Sequence, residues 1–357
     1  MTTTIRPPEA AEIEQFLGRF VVDLGAALAG ANVALGDQLG LYGAIAAHQP
    51  ASPADVAAAT GTDERYVTEW LRGQAAGGYV EYDTESGTYS LSPAQAACLA
   101  DPHSPAYVPG AFQVATSLYR DLPLMVQAFR SGRGVGWHEH SSDLFDGTER
   151  FFRPGYVANL VSSWIPALDG VEARLLSGAA VADIGCGHGA STLIMAEAFP
   201  RSSFIGFDYH AESIAKARAA AAAAGLGDRV RFEVASAGDF PGTGFDLVAM
   251  FDCLHDMGDP AGAARHVRQA LADDGTWLIV EPNAGDTVAD NLNPVGRVFY
   301  SASSMICTPA SRAQEVGTCL GAQAGPARIG EVVRSGGFSR FRVATSTPFN
   351  LVLEARP

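Results

Sequence analysis

From residue 178 onwards, short β-rich apolar runs alternate with helical stretches, and this alternation constrains the fold more tightly than any other feature of the chain. "AAVADIGC", "SFIGFD", "RVRFEVAS", "FDLVAMF" and "TWLIVEP" read as strands. Between them lie ASTLIMAEAF, AESIAKARAAAAAAG and GAARHVRQALA, each of helical length and Ala-rich. Strands that return through helices pair in parallel, so the expectation is a doubly wound α/β domain with helices on both faces of the sheet. The tail adds ARIGEVVRSGG as a helix, then FSRFRVAT and NLVLEAR as closing strands, for seven strands in all.

Upstream the texture differs. Residues 9–48 carry Ile13, Phe16, Phe20, Leu24, Leu28, Leu35, Leu39 and Ile45 at helical spacing with a thin polar face. Such helices bury against something, and a second subunit is one candidate. In "SPADVAAATGTDERYVTEWLRGQAAGGYVEYDTESGTYSLS", Ser52-Pro53 with Asp55 starts a helix and TGTD separates it from the next. Val67, Trp70 and Leu71 form the buried side of that second helix, and YVEY and TYSL pair around DTESG as a hairpin. Helix, turn, helix, hairpin is a winged helix. Residues 106–176 read as a helical connector rich in large side chains, with "GRGVGWHEHSSD" as a loop. The expected division is therefore 1–105, 106–177 and 178–357.

Charge and cysteine usage exclude several roles. The chain of 357 residues has a net charge of −15, and residues 51–100 hold seven acids against two arginines. A duplex would repel such a surface, so the winged helix is expected to pack or dimerise rather than bind nucleic acid. Five cysteines (98, 186, 253, 307, 319) form no CxxC pair, which argues against a zinc site or disulfide framework and suits a reducing cytoplasm. HEH at 138–140 has no third ligand, and its i, i+2 spacing does not share a helix face. No membrane span is expected, because the best candidate, VVDLGAALAGANVAL, is interrupted by Asp23; nor does MTTTIRPPEA look like a signal peptide.

"VADIGCGHG" closes the first strand of the α/β region, and its glycines let the backbone turn sharply and approach a ligand. The spacing is GxGxG, with Asp183 two residues before Gly185. Asp208 ends the second strand, 19 residues after Gly189, where a carboxylate can accept both ribose hydroxyls. In "SAGDF" after the third strand, Asp239 can accept from an adenine amino group and Phe240 can cover the ring.

Together these residues resemble the class I S-adenosylmethionine-dependent methyltransferases, whose domain is a Rossmann-like doubly wound sheet; the resemblance covers 178–357. The layout upstream is similar to that of small-molecule O-methyltransferases, and more narrowly to bacterial winged-helix methyltransferases of unassigned substrate. The resemblance implies S-adenosylmethionine as cofactor, held by Asp183, Gly185, Cys186, Gly187, Gly189, Asp208, Tyr209, Gly238, Asp239, Phe240 and Phe251. It also implies a small-molecule methyl acceptor and a homodimer formed through the N-terminal helical region.

"FDCLHDMGDP" lies after the fourth strand, on the carboxyl edge where doubly wound sheets bind ligands. It resembles the L-H-D-W-x-D stretch that supplies the base in O-methyltransferases: His255 matches the histidine and Asp256 the acid. His255 would take the acceptor's proton, a task suited to an imidazole. Glu281, ending "TWLIVEP", is the expected orienting partner, and Tyr156 and Trp164 are candidate walls. Phe251 stands where plant enzymes often carry Lys, and Met257 replaces the tryptophan, which leaves nitrogen and carbon acceptors open beside oxygen. Residues 291–325 are expected to lid the acceptor site, with Cys307 and Cys319 as packing residues. A ligand-sensing regulator and a nicotinamide oxidoreductase are the competing classes; the acidic winged helix speaks against the first and the GxGxG spacing against the second.

Overall fold

The computed structural model describes residues 6–357; the first five residues of the stretch weighed as a signal peptide lie outside the described residues. Contacts divide the chain into two units, a first through Thr116 and a second of Ser117–Pro357.

The first unit opens with α1 (Ala10–Gln38), followed by α2 (Leu41–His48), α3 (Pro53–Thr60) and α4 (Glu64–Ala76). Ser52 and Asp55 cap α3 reciprocally, and Asp63 caps α4 by accepting from the amides of Arg65 and Tyr66. The hairpin is short, β1 (Glu81–Tyr82) against β2 (Tyr89–Ser90), and α5 (Pro93–Leu99) follows. Val67, Trp70 and Leu71 are buried as the helical spacing predicts, packed with Val33, Tyr42, Ile45 and Val56. Most of α1 contributes nothing to this core: Ile13, Phe16, Phe20, Leu24 and Leu28 are exposed. By length and composition α1 could cross a membrane, with a mean hydropathy of 1.3 in its best window.

The division falls within α6 (Pro109–Arg120). In the second unit α7 (Leu122–Ser131), α8 (Ser142–Asn159) and α9 (Val171–Ser177) precede the sheet. Its elements run β3 (Ala180–Ile184), α10 (Ala190–Ala198), β4 (Ser203–Asp208), α11 (Ala211–Ala223), β5 (Val230–Val234), β6 (Phe245–Phe251), α12 (Pro260–Ala270) and β7 (Leu271–Pro282). Then come α13 (Pro294–Met305), α14 (Cys307–Ala313), α15 (Gly325–Ser335), β8 (Arg340–Ser346) and β9 (Asn350–Arg356). The seven strands lie in the order β5-β4-β3-β6-β7-β9-β8. All neighbouring pairs are parallel except those made by β9, which runs antiparallel to both β7 and β8.

Alternation along the strands sorts the two faces. Val181, Leu247, Ala249, Leu278 and Val280 pack under α8, α10 and α11, while Ala182, Val248, Met250, Trp277 and Ile279 pack against α12 and α15. The strand order reverses between β3 and β6, and the loops leaving their carboxyl ends meet there. That crevice is where a doubly wound sheet offers a ligand site.

Candidate active site

The loop after β3 turns through three left-handed glycines: Gly185 (φ 72°), Gly187 (φ 52°) and Gly189 (φ 83°). A Cβ at Gly185 would sit 2.8 Å from Cys253 Sγ, whereas one at Gly187 would meet no atom within 4 Å. Gly185 therefore permits a close approach to the β6 loop, and Gly187 leaves open space above the backbone. The amides of Gly185 and Cys186 donate to the Phe207 carbonyl, which ties this loop to the end of β4. Gly187 N donates to Asp208 Oδ2 at 3.0 Å and His210 N to Asp208 Oδ1 at 2.8 Å. Burial raises the Asp208 carboxyl from its ordinary value, and these two amides oppose the rise. The carboxylate is thus fixed in the cavity wall with lone pairs to spare for two hydroxyls.

Asp183 has another task. It is fully buried and accepts from Ser191 Oγ and Thr192 Oγ1, both at 2.6 Å, which staples the first turn of α10 to β3. Burial outweighs those bonds and pushes its carboxyl up to about 6.

On the other side of the crevice, β6 ends in Phe251 and the next residue, Asp252, takes a left-handed conformation (φ 51°), uncommon for a residue with a side chain. Its carboxylate accepts from Tyr156 Oη at 2.9 Å and Asn350 Nδ2 at 3.2 Å. Burial, with the Glu281 charge adding to it, pushes the Asp252 carboxyl up to about 7. A tight turn, Leu254–Asp256, follows. Glu281 at the carboxyl end of β7 holds that turn with both oxygens: Oε1 accepts from Leu254 N at 2.9 Å, and Oε2 pairs with His255 Nδ1. His255 Nε2 lies 3.1 Å from Asp256 Oδ1, within ion-pair distance but not aligned for a hydrogen bond. Burial alone would lower the imidazole's pKa; the charges of Glu281 and then Asp256 override it and hold the value well above the ordinary one. Trp137 Nε1 donates to Asp256 Oδ2 at 3.3 Å, and Gln314 Nε2 donates to the Asp256 carbonyl at 2.9 Å.

A cavity of about 470 Å³ joins the two sides, within the usual size range of small-molecule sites. It brings together the predicted Gly185, Cys186, Gly187, Asp208, Tyr209, Phe251 and Asp256, and Tyr156 lines it as well. His255 and Glu281 sit directly behind Asp256 and do not line it. Gly189 and Asp183 lie beneath the loop, and Trp164 is core. Gly238 and Asp239 do not reach the cavity, which is bordered there by Ala235, Ser236 and Ala237. Asp239 instead accepts from the amide and hydroxyl of Ser236. Phe240 is fully buried between Phe207 and Phe245, with His266 edge-on. A ring that finds an apolar pocket beneath the sheet is not free to cover a ligand above it.

Sequence reasoning passed over several residues of the wall. Trp137 comes from the loop expected to be solvated or substrate-facing rather than metal-binding, with no residue singled out, and Phe145 stacks on His210 at 4.4 Å. His188 Nδ1 pairs with Glu149 Oε2 at 2.9 Å, which links the glycine loop to α8. Asp252 was the legible one: an acid directly after an apolar strand, beside the motif already singled out.

Two family models match. Residues 26–101 match the Rv2258c-like winged HTH domain, and residues 175–336 match a methyltransferase domain model. The segment 175–336 is a methyltransferase domain. A segment that matches a winged-helix domain precedes it. O-demethylpuromycin-O-methyltransferase of Streptomyces alboniger is 29% identical over 338 residues, which cover 85% of this chain and 80% of that protein. The mitomycin 7-O-methyltransferase structure aligns with a TM-score of 0.70 at 19% identity, over 97% of this chain and 98% of its own. Human N-acetylserotonin methyltransferase in complex with S-adenosylmethionine aligns with a TM-score of 0.68 at 18% identity, over 99% of each chain. At those identities the structural likeness speaks for the fold. The glycine loop and Asp208 lie together at the crevice between β3 and β6, and the open space above Gly187 and the free lone pairs of Asp208 would fit an adenosyl ligand.

Proposed function

We propose that the chain methylates a hydroxyl of a small molecule, with S-adenosylmethionine as donor and His255 as general base. When bound, that cofactor supplies an electrophilic methyl group on a sulfonium. Gly187 leaves room for the ligand at the loop, Asp208 accepts from its ribose hydroxyls, and Asp252 presents a carboxylate to its positive charge. Glu281 accepts a hydrogen bond from His255 Nδ1–H, which fixes the tautomer and leaves Nε2 facing Asp256, the member of the pair that lines the cavity. The acceptor's proton moves to Nε2 as its oxygen takes the methyl group. Trp137, Phe145, Phe152 and Phe251 supply an aromatic wall that excludes water and suits a flat acceptor.

The observation that carries this reading is the Glu281–His255–Asp256 chain, which ends at the wall of a cavity whose opposite wall is the glycine loop. The names of the relatives add support for oxygen as the accepting atom. We assign 106–177 as the connector that walls the cavity, between a dimerising 1–105 and a catalytic 178–357. The five free cysteines suit a reducing cytoplasm. A screen of hydroxylated acceptors with labelled methyl donor tests the activity. On any acceptor found, His255→Ala should keep cofactor binding and lose turnover by about 10²–10⁴-fold. Undiminished methylation would rule the base out.

A further inference from the structure

We propose that His255 Nε2, Asp256 Oδ1 and Cys307 Sγ form a binding site for one zinc ion, which occupies the position of the transferred proton and blocks the base. One ligand atom from each of these three side chains lies within 4.8 Å of the other two, and all three residues are buried. Two come from the turn after β6, and the third is the first residue of α14.

The donor set is one imidazole nitrogen, one carboxylate oxygen and one sulfur, a mixture that favours zinc over magnesium or calcium. In a tetrahedral zinc site the nitrogen–oxygen edge is about 3.4 Å. The corresponding separation here is 3.1 Å, so a shift of a few tenths of an ångström seats the ion. Two further observations point the same way. Asp256 Oδ1 is buried and accepts no hydrogen bond, a rare condition for a carboxylate oxygen. Glu281 occupies His255 Nδ1, the carboxylate–histidine arrangement that orients an imidazole towards a metal on its other nitrogen. Asp256 lines the cavity, so the site lies directly behind the cavity wall. Sequence reasoning missed the set because Cys307 is 51 residues beyond Asp256, with no motif spacing.

The block on the base rests on the function proposed above; the metal site does not, and binding is therefore read by spectroscopy. Cobalt(II) is titrated into the full chain as a probe, and zinc is then measured by competition with a chromophoric chelator. The expected result is one cobalt per chain, with a thiolate-to-metal charge-transfer band that zinc abolishes. Cys307→Ser, nearly isosteric, should lose the band while its circular dichroism is unchanged, and Cys319→Ser should keep it. Glu281→Gln should weaken zinc by about 10–100-fold. A wild-type chain without the band, or a band that persists in Cys307→Ser, would overturn the site. If zinc binds as described yet leaves methyl transfer intact, the ion does not block the base, and that half of the proposal fails.

Discussion

Asp252 combines a left-handed backbone, two neutral hydrogen-bond donors and a place in the cavity wall. Backbone strain of this kind persists where the surroundings over-determine it, often at a functional site. The groups facing it are Glu281 on β7, Asp256 and His255 on the following turn, and Tyr156 on α8. Its carboxyl is pushed up to about 7, so below that pH it is neutral and above it carries the charge that a cationic cofactor meets. Affinity for S-adenosylmethionine should therefore rise as pH increases from 6 to 8, as measured by calorimetry. Asp252→Asn should remove most of that dependence and weaken binding at pH 8 by about tenfold, equivalent to ~1.4 kcal/mol. An unchanged pH dependence in the variant would assign it to another group.

At the scale of elements, helix packing in the first unit turns on Gly36 of α1. A Cβ there would lie 2.3 Å from the Trp70 ring of α4, whose Nε1 donates to the Asn32 carbonyl at 2.8 Å. Gly36→Ala should cost about 1–3 kcal/mol by overpacking, read as a lowered midpoint of thermal unfolding followed by tryptophan fluorescence. No loss would mean that α1 and α4 separate at little cost. The sequence spacing identified the α4 face, since Val67, Trp70 and Leu71 repeat at the helical period, but nothing in it showed which glycine they close upon. The same contrast holds at the cavity. The sheet, the glycine loop, Asp208 and the His255–Glu281 pair were legible because strand ends in a doubly wound sheet converge by topology. Phe240 and Asp239 were not, because a loop residue's direction is set by which pocket its side chain fills. The lid expected over 291–325 contains α13 and α14, which sequence reading left without form. Gln314 and Cys307, from this region, reach the Leu254–Asp256 turn through contacts distant in sequence.

At the scale of the whole molecule, two features remain open to solution measurement. Along α1, Ile13, Phe16, Phe20, Leu24 and Leu28 form an exposed stripe of i, i+3 and i, i+4 spacing, far more apolar surface than scattered exposed side chains present. We expect a homodimer through this helix, seen by sedimentation velocity, with the double variant Phe16→Glu, Phe20→Glu sedimenting as a folded monomer. A wild-type monomer, or partition of α1 into lipid vesicles, would contradict it. The central claim is that the crevice between β3 and β6 holds an adenosyl cofactor against Asp208. Calorimetric titration of the full chain with S-adenosylhomocysteine tests it most directly. The account predicts one saturable site per chain, weakened at least about tenfold by Asp208→Ala, because a hydrogen bond to a charged group is worth ~1.5–3 kcal/mol. Heat on titration with a nicotinamide dinucleotide and none with S-adenosylhomocysteine would contradict it.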